Sequence, residues 1–160
     1  MAATEYDICV IGAGSGGLVV AAGGATLGAK VALIEKHKMG GDCLNYGCVP
    51  SKALLKSAKV AHLMRTANRY AIGPAQPQIS IATVMQRVAG VIKGIEPNDS
   101  PERFRGLGVD VIFGHGRFKD ANTVVVGERA ITARNFVIAT GSRPGVPPIP
   151  GLDAVSFLTN

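Results

Sequence analysis

A chain of 160 residues with 47% hydrophobic and 18% charged residues has the composition of an ordinary folded protein, long enough for one domain with its own core, which excludes a disordered or fibrous chain. Its net charge of +6 is scattered, and with three tyrosines, five phenylalanines and no tryptophan there is little aromatic surface to interleave with the basic residues, which argues against nucleic acid as a partner. The acidic start MAATEYD lacks the basic segment of a secretory leader, and no apolar run is long enough for a membrane span, so a cytoplasmic chain is expected.

The first elements in chain order form one unit. Ile8 to Ile11 is a short apolar run of the kind found in buried parallel strands. It enters Gly12-x-Gly14-x-x-Gly17, a helix of small residues runs to Leu27, Gly28 stops it, and Val31 to Ile34 is a second apolar strand closed by Glu35. Gly12 allows the tight strand-to-helix turn, Gly14 lets backbone approach a pyrophosphate, and Gly17 lets helix and strand pack closely. The free amides and dipole of the helix start hold phosphates, with Ser15 offering a further amide or hydroxyl. Glu35, 18 residues past Gly17, stands where a carboxylate accepts hydrogen bonds from the hydroxyls of an adenosine ribose and repels a 2′-phosphate. The pattern predicts a bound dinucleotide, FAD or NAD.

Next comes GGDCLNYGCVPSKALL, residues 40–55. Cys48 lies just before Val49 and Pro50, at the start of a helix expected over Pro50 to Tyr70, where dipole and unpaired amides stabilise a thiolate. Lys52 is one turn along the same face and adds positive charge. Cys43 is close enough in sequence to close a small disulfide with Cys48. A zinc site drawing on Cys43, Cys48, Cys9 and His37, or two thiols without function, are the other readings. Cys9, inside the first strand, reads as core, and His62 and His115 as structural or solvent-facing.

The residues ISIATVMQRVAGVIKGI repeat apolar side chains at Ile81, Val84, Met85, Val88, Ile92 and Ile95, a helical stripe expected to pack. Ser100 and Pro101 cap and open a short helix. From Val109 the period changes to strands, and turns at KDAN and VGE predict a three-stranded antiparallel meander before a last buried strand, Phe136 to Ala139. The proline-rich SRPGVPPIPGLD cannot be sheet interior.

GGDCLNYGCVPSKALL resembles the redox-active disulfide segment of the FAD-dependent pyridine nucleotide-disulfide oxidoreductases, the group that includes lipoamide dehydrogenase, mercuric reductase and glutathione reductase. The IGAGSGG segment with its Glu35, GHGRF at 114–118 and FVIATGSRP at 136–144 match the same family in order and spacing. The resemblance implies an α/β, doubly wound Rossmann-like FAD-binding domain over residues 1–150 with a small antiparallel meander, incomplete here, and a linker from 151–160 into a separate domain for NADH or NADPH. It implies that Cys48 is the thiol beside the flavin, Cys43 the interchange thiol that meets substrate, and Lys52 a cation beside the flavin ring. Gly12, Gly14, Ser15, Gly17, Glu35, Lys36, Gly41, Gly116, Thr140, Gly141 and Ser142 would hold FAD. Electrons would pass from NAD(P)H through FAD to the Cys43/Cys48 disulfide and on to a disulfide, dithiol or metal-ion substrate, in a protein that is a homodimer and resembles the lipoamide dehydrogenase and mercuric reductase branch; the chain alone would be inactive. Many members have threonine where this chain has Asp42, and a carboxylate near a pyrophosphate is unfavourable unless it points away or pairs. The alternative is a self-contained dinucleotide-binding or thiol redox-sensing module without catalysis.

Overall fold

The computed structural model describes residues 5–159; residues 1–4 of the expected domain and Asn160 of the expected linker lie outside them. Six strands form one sheet in the order β3-β2-β1-β6-β5-β4. β1 (Tyr6–Ile11), β2 (Val31–Glu35), β3 (Asp110–Phe113) and the second half of β6 (Arg129–Ile138) are parallel, while β4 (Gly116–Asp120) and β5 (Thr123–Val126) complete an antiparallel ribbon with the first half of β6. The architecture is the α/β, Rossmann-like one expected. Because the chain leaves β1 toward β2 on one side and returns as β6 on the other, the strand order reverses at the C-terminal end of β1, the place where open α/β sheets bind ligands.

Every residue of β2 is buried, since both faces of the sheet are covered. Val31 and Leu33 join Val10, Leu18, Ala21 and Phe104 on the face under helices α1 (Ser15–Thr26) and α5 (Pro101–Gly106). Ala32 and Ile34 join Cys9, Ile112, Val124 and Ile131 on the other, so the antiparallel ribbon curls back over the face opposite α1. Phe104 is fully buried and anchors the short α5, a contribution of about 2–3 kcal/mol by apolar burial. Ser100 caps α5 by accepting from the Arg103 amide at 3.2 Å, with Pro101 at its first position, as its sequence signals.

Three expectations change. The last two predicted strands are one: β6 pairs antiparallel with β5 through Arg129–Thr132 and parallel with β1 through Ala133–Ile138. Its end is not buried, Phe136 being half-buried and Ile138 69% exposed. The helix expected over Pro50 to Tyr70 is α3 (Cys48–Arg65), followed by a separate 3-10 turn over Ala67–Tyr70. It starts earlier because Pro50 falls in the first turn, where its missing N–H costs nothing, and it ends where Thr66 leaves helical geometry at φ −110° and ψ 16°. In α4 (Ile81–Ile95) only Val88 of the apolar stripe is buried, while Ile81 and Met85 are 69% and 49% exposed. Periodicity marks a face, and here α4 uses only part of it, against α3, where the Arg87 guanidinium donates to the Ala53 carbonyl at 2.9 Å.

Candidate dinucleotide cradle and thiol pair

The loop between β1 and α1 is built by contacts that only glycine permits. Gly12 has φ +105°, and a Cβ there would run into the Ala139 carbonyl and lie 3.1 Å from Thr140 Cα; a Cβ on Gly17 would run into the Gly12 carbonyl. The Ala139 amide donates to the Ile11 carbonyl at 2.8 Å, so the residues after β6, Thr140, Gly141 and Ser142, leave the sheet beside Gly12. Gly141 has φ +74°. Gly14 is the N-cap of α1, and no side chain caps the helix, so the amides of its first turn have no intrahelical acceptor and face outward near exposed Ser15. A helix start with free amides, no Cβ at its cap and a positive dipole suits the diphosphate of a dinucleotide.

Glu35, at the end of β2, is the buried acid of the fold. One carboxylate oxygen accepts the Ala13 amide at 2.7 Å and the other the His37 amide at 2.8 Å, so the side chain ties the end of β2 to the glycine loop. Each oxygen keeps a second lone pair for a ribose hydroxyl. Lys36 beside it is exposed. A cleft of about 470 Å³ opens next to this strand end, lined by His37, Lys38, Met39, Phe113 and the turn between α4 and α5. Gly116 lies at the start of β4, where a Cβ would press on Val124 at 3.2 Å and Ile34 at 3.5 Å, one residue from Glu35.

The cysteine segment is joined to this loop. The Gly40 amide donates to the Ala13 carbonyl at 2.9 Å, and a Cβ on Gly41, with φ +55°, would lie 2.6 Å from Gly14 Cα. Asn45 fixes the turn by donating to the Met39 and Gly41 carbonyls at 3.1 and 2.9 Å. Helix α2 (Gly41–Asn45) carries half-buried Cys43, and Cys48 is the first, exposed residue of α3. Both are thiols, and they touch: the hydrogen bond with Cys48 holds the Cys43 thiol above the usual range, helped by burial and opposed by the charge of Lys52. Lys52, one turn into α3, therefore sits close enough to act on Cys43. Cys9 stands apart in the core, where burial pushes its thiol up to about 11. Among the described residues no group of three or more His, Cys, Asp or Glu is placed to hold a metal ion, and no helix is long and apolar enough to cross a membrane.

The structure thus brings Gly12, Gly14, Ser15, Gly17, Glu35, Gly41, Thr140 and the Cys43/Cys48 pair to one end of the sheet. Sequence reading missed Ala13 and Gly40, which act through their backbone, and Asn45, whose side-chain amide holds two carbonyls of the turn; the doubled glycine was the signal available.

A model of the pyridine nucleotide-disulphide oxidoreductase family matches residues 6–160. The chain belongs to this family. It is 42% identical over 149 residues to a dihydrolipoyl dehydrogenase of Acholeplasma laidlawii, an alignment covering 92% of this chain and 44% of that protein. It is 34% identical over 156 residues to a mercuric reductase of Bacillus cereus, covering 98% of this chain and 25% of the relative. Among solved structures it resembles the Cu(II) complex of the HOCl-induced flavoprotein disulfide reductase RclA from Escherichia coli, with a TM-score of 0.72 and 27% identity over 92% of this chain and 31% of that one. The chain spans less than half the length of each of these proteins.

Proposed function

We propose that this chain is the N-terminal FAD-binding part of a flavoprotein disulfide reductase, passing electrons from NADH or NADPH through FAD to the Cys43/Cys48 pair and then to a disulfide, dithiol or metal-ion substrate. The carrying observation is that the glycine loop and the thiol segment form one unit, tied by the Gly40 to Ala13 hydrogen bond and the Gly41 to Gly14 contact. A cradle for a dinucleotide that shares its wall with two touching thiols serves electron transfer between them. The names of the dihydrolipoyl dehydrogenase, mercuric reductase and flavoprotein disulfide reductase relatives support the same chemistry.

In this reading the α1 amides from Gly14 to Gly17 hold the diphosphate, Glu35 accepts from the adenosine ribose, with Lys36 alongside, and Gly41, Gly116 and Thr140 to Ser142 complete the cradle. FAD, when bound, supplies two-electron transfer between nicotinamide and thiols. Lys52 holds positive charge beside the pair. In reduction of a disulfide substrate, the Cys43 thiolate attacks one substrate sulfur, forming a mixed disulfide and expelling the other as a thiolate that takes a proton. Cys48 then attacks the Cys43 sulfur, closing the Cys43–Cys48 disulfide and releasing the second substrate thiol. The pair has lost two electrons and the substrate has gained them. Residues 1–150 form the FAD-binding domain and 151–160 begin a linker to a nicotinamide-binding domain; the whole protein works as a cytoplasmic homodimer.

The test is titration of FAD with the purified chain, read as flavin fluorescence. Saturable quenching that ADP competes away is expected, with no oxidation of NADH or NADPH by the chain alone. Absence of saturable quenching overturns the cofactor assignment.

A further inference from the structure

Asp42 immediately precedes Cys43 in α2, and its side chain folds back on the residue before Cys48. A Cβ built on Gly47 would lie 2.5 Å from Asp42 Oδ2, 3.4 Å from its Cγ and 3.3 Å from its carbonyl oxygen, and the Gly47 amide donates to that carbonyl at 2.7 Å. Gly47 is the N-cap of α3, so the carboxylate rests against the positive end of an 18-residue helix whose first residue is Cys48. It stands next to one thiol along the chain and against the neighbour of the other. A carboxylate in that place competes with a thiolate for the helix dipole and repels it directly.

α3 carries Lys52, Lys56, Lys59, His62 and Arg65, α4 carries Arg87 and Lys93, and α1 carries no charged residue, while Glu96, Asp99 and Glu102 line a cleft together with Asn45 of α2. Asp42 is the one acid in the four helices α1 to α4, beside Cys43 in the chain and against Gly47, the neighbour of Cys48.

We propose that Asp42 is a positioning residue for the thiol pair: its carboxylate holds Cys43 and Cys48 toward the neutral dithiol and so makes the reduced pair the stronger electron donor. A negative charge destabilises the thiolate and leaves the uncharged disulfide little affected, so the reduced state loses stability wherever a thiolate would form. This inference rests on the redox reading above.

The experiment compares the wild-type chain with Asp42→Asn, which removes the charge, and Asp42→Glu, which keeps it. Iodoacetamide alkylation of Cys43 and Cys48 is followed from pH 6 to 10. In Asp42→Asn the apparent pKa of the faster thiol should fall by about half a pH unit, giving about threefold faster alkylation at pH 7, and Asp42→Glu should stay with the wild type. High salt should shrink the difference. The pair is then equilibrated with dithiothreitol: the Cys43–Cys48 bond breaks as the cyclic dithiothreitol disulfide forms, and two electrons pass to the protein sulfurs, which take up two protons where they remain neutral. At pH 9.5 reduction should be about threefold more favourable in Asp42→Asn, and at pH 6, where both thiols are protonated, the variants should agree. Identical alkylation profiles, or an equilibrium shift of equal size at both pH values, overturns the proposal, as does an Asp42→Glu chain that behaves like Asp42→Asn. A wild-type pair that never closes a disulfide across the dithiothreitol series defeats the redox reading itself, a result distinct from an unchanged alkylation profile.

Discussion

The two ends of the sheet are finished in opposite ways. Where the parallel strands begin, charged groups satisfy one another: the Arg129 guanidinium donates to the Tyr6 hydroxyl at 2.6 Å, to Asp110 at 2.7 Å and to Glu5 at 3.4 Å, and Tyr6 donates to Asp110. This ties the starts of β6, β1 and β3 together. Where the strands end, close glycine contacts, helix amides without intrahelical acceptors and a pair of thiols face outward. Polar groups paired within the fold hold it together; donors left without an internal acceptor await an anion. The comparison predicts that damage at the strand starts lowers stability and spares binding, while damage at the strand ends reaches binding.

The largest effect expected is from Gly17→Val. Its Cβ has to displace the Gly12 carbonyl, and Gly12 is itself held at φ +105° against Ala139, so neither loop yields alone. Overlap between backbone and a new side chain in a packed core costs about 3 kcal/mol or more. Urea unfolding should show the chain largely destabilised and FAD titration should show no binding; a well-folded variant that binds FAD as the wild type does would mean the loop is softer than its contacts indicate.

Glu35→Gln should come next, and it tests whether one residue serves both stability and binding. Glutamine keeps one oxygen, so either the Ala13 or the His37 amide is left facing an NH2 group. FAD affinity should fall by about 1–3 kcal/mol, through the loss of charge-assisted hydrogen bonds and of a correctly shaped loop. Calorimetric titration measures it, and unchanged affinity would reduce Glu35 to a brace for the loop.

Much of the geometry at the strand ends was legible from sequence because it is local. The glycine spacing, the strand closed by Glu35 and the placement of Cys48 and Lys52 each depend on residues within a turn or two of one another. What sequence could not supply were pairings between distant segments. A run of β-branched residues does not say that β6 changes partner from β5 to β1 half-way along, and an amphipathic α4 does not say how much of its stripe a neighbour will cover. The contact of Asp42 with Gly47 depends on how the turn between two helices closes. The strand-start network was equally hidden, since Tyr6, Asp110 and Arg129 meet only through the sheet order.

Arg129→Met carries the smallest effect and separates the two ends most cleanly. Its partners are accessible, with Arg129 and Asp110 side chains 43% and 39% exposed, so solvent screening limits the loss to about 1 kcal/mol at neutral pH. Burial opposes ionisation of Asp110, but hydrogen bonds from Tyr6 and Arg129 overcome it and hold its carboxyl below the usual range. A carboxylate whose folded pKa is depressed gives stability that is present above its unfolded value, about 3.9, and lost as pH falls through the folded value. The gap between wild type and Arg129→Met should therefore be full at pH 7 and narrow toward pH 3. Tyr6 changes in the opposite sense: burial, then its bond to Asp110, raise its pKa, so its contribution is present below about pH 10 and declines above it. Urea midpoints at pH 7 and pH 3 measure the acid side. FAD affinity at pH 7 should not change, because Arg129 lies at the start of β6 and the cradle at its end; an affinity loss comparable to that of Glu35→Gln would mean that the strand starts and strand ends are coupled through the sheet.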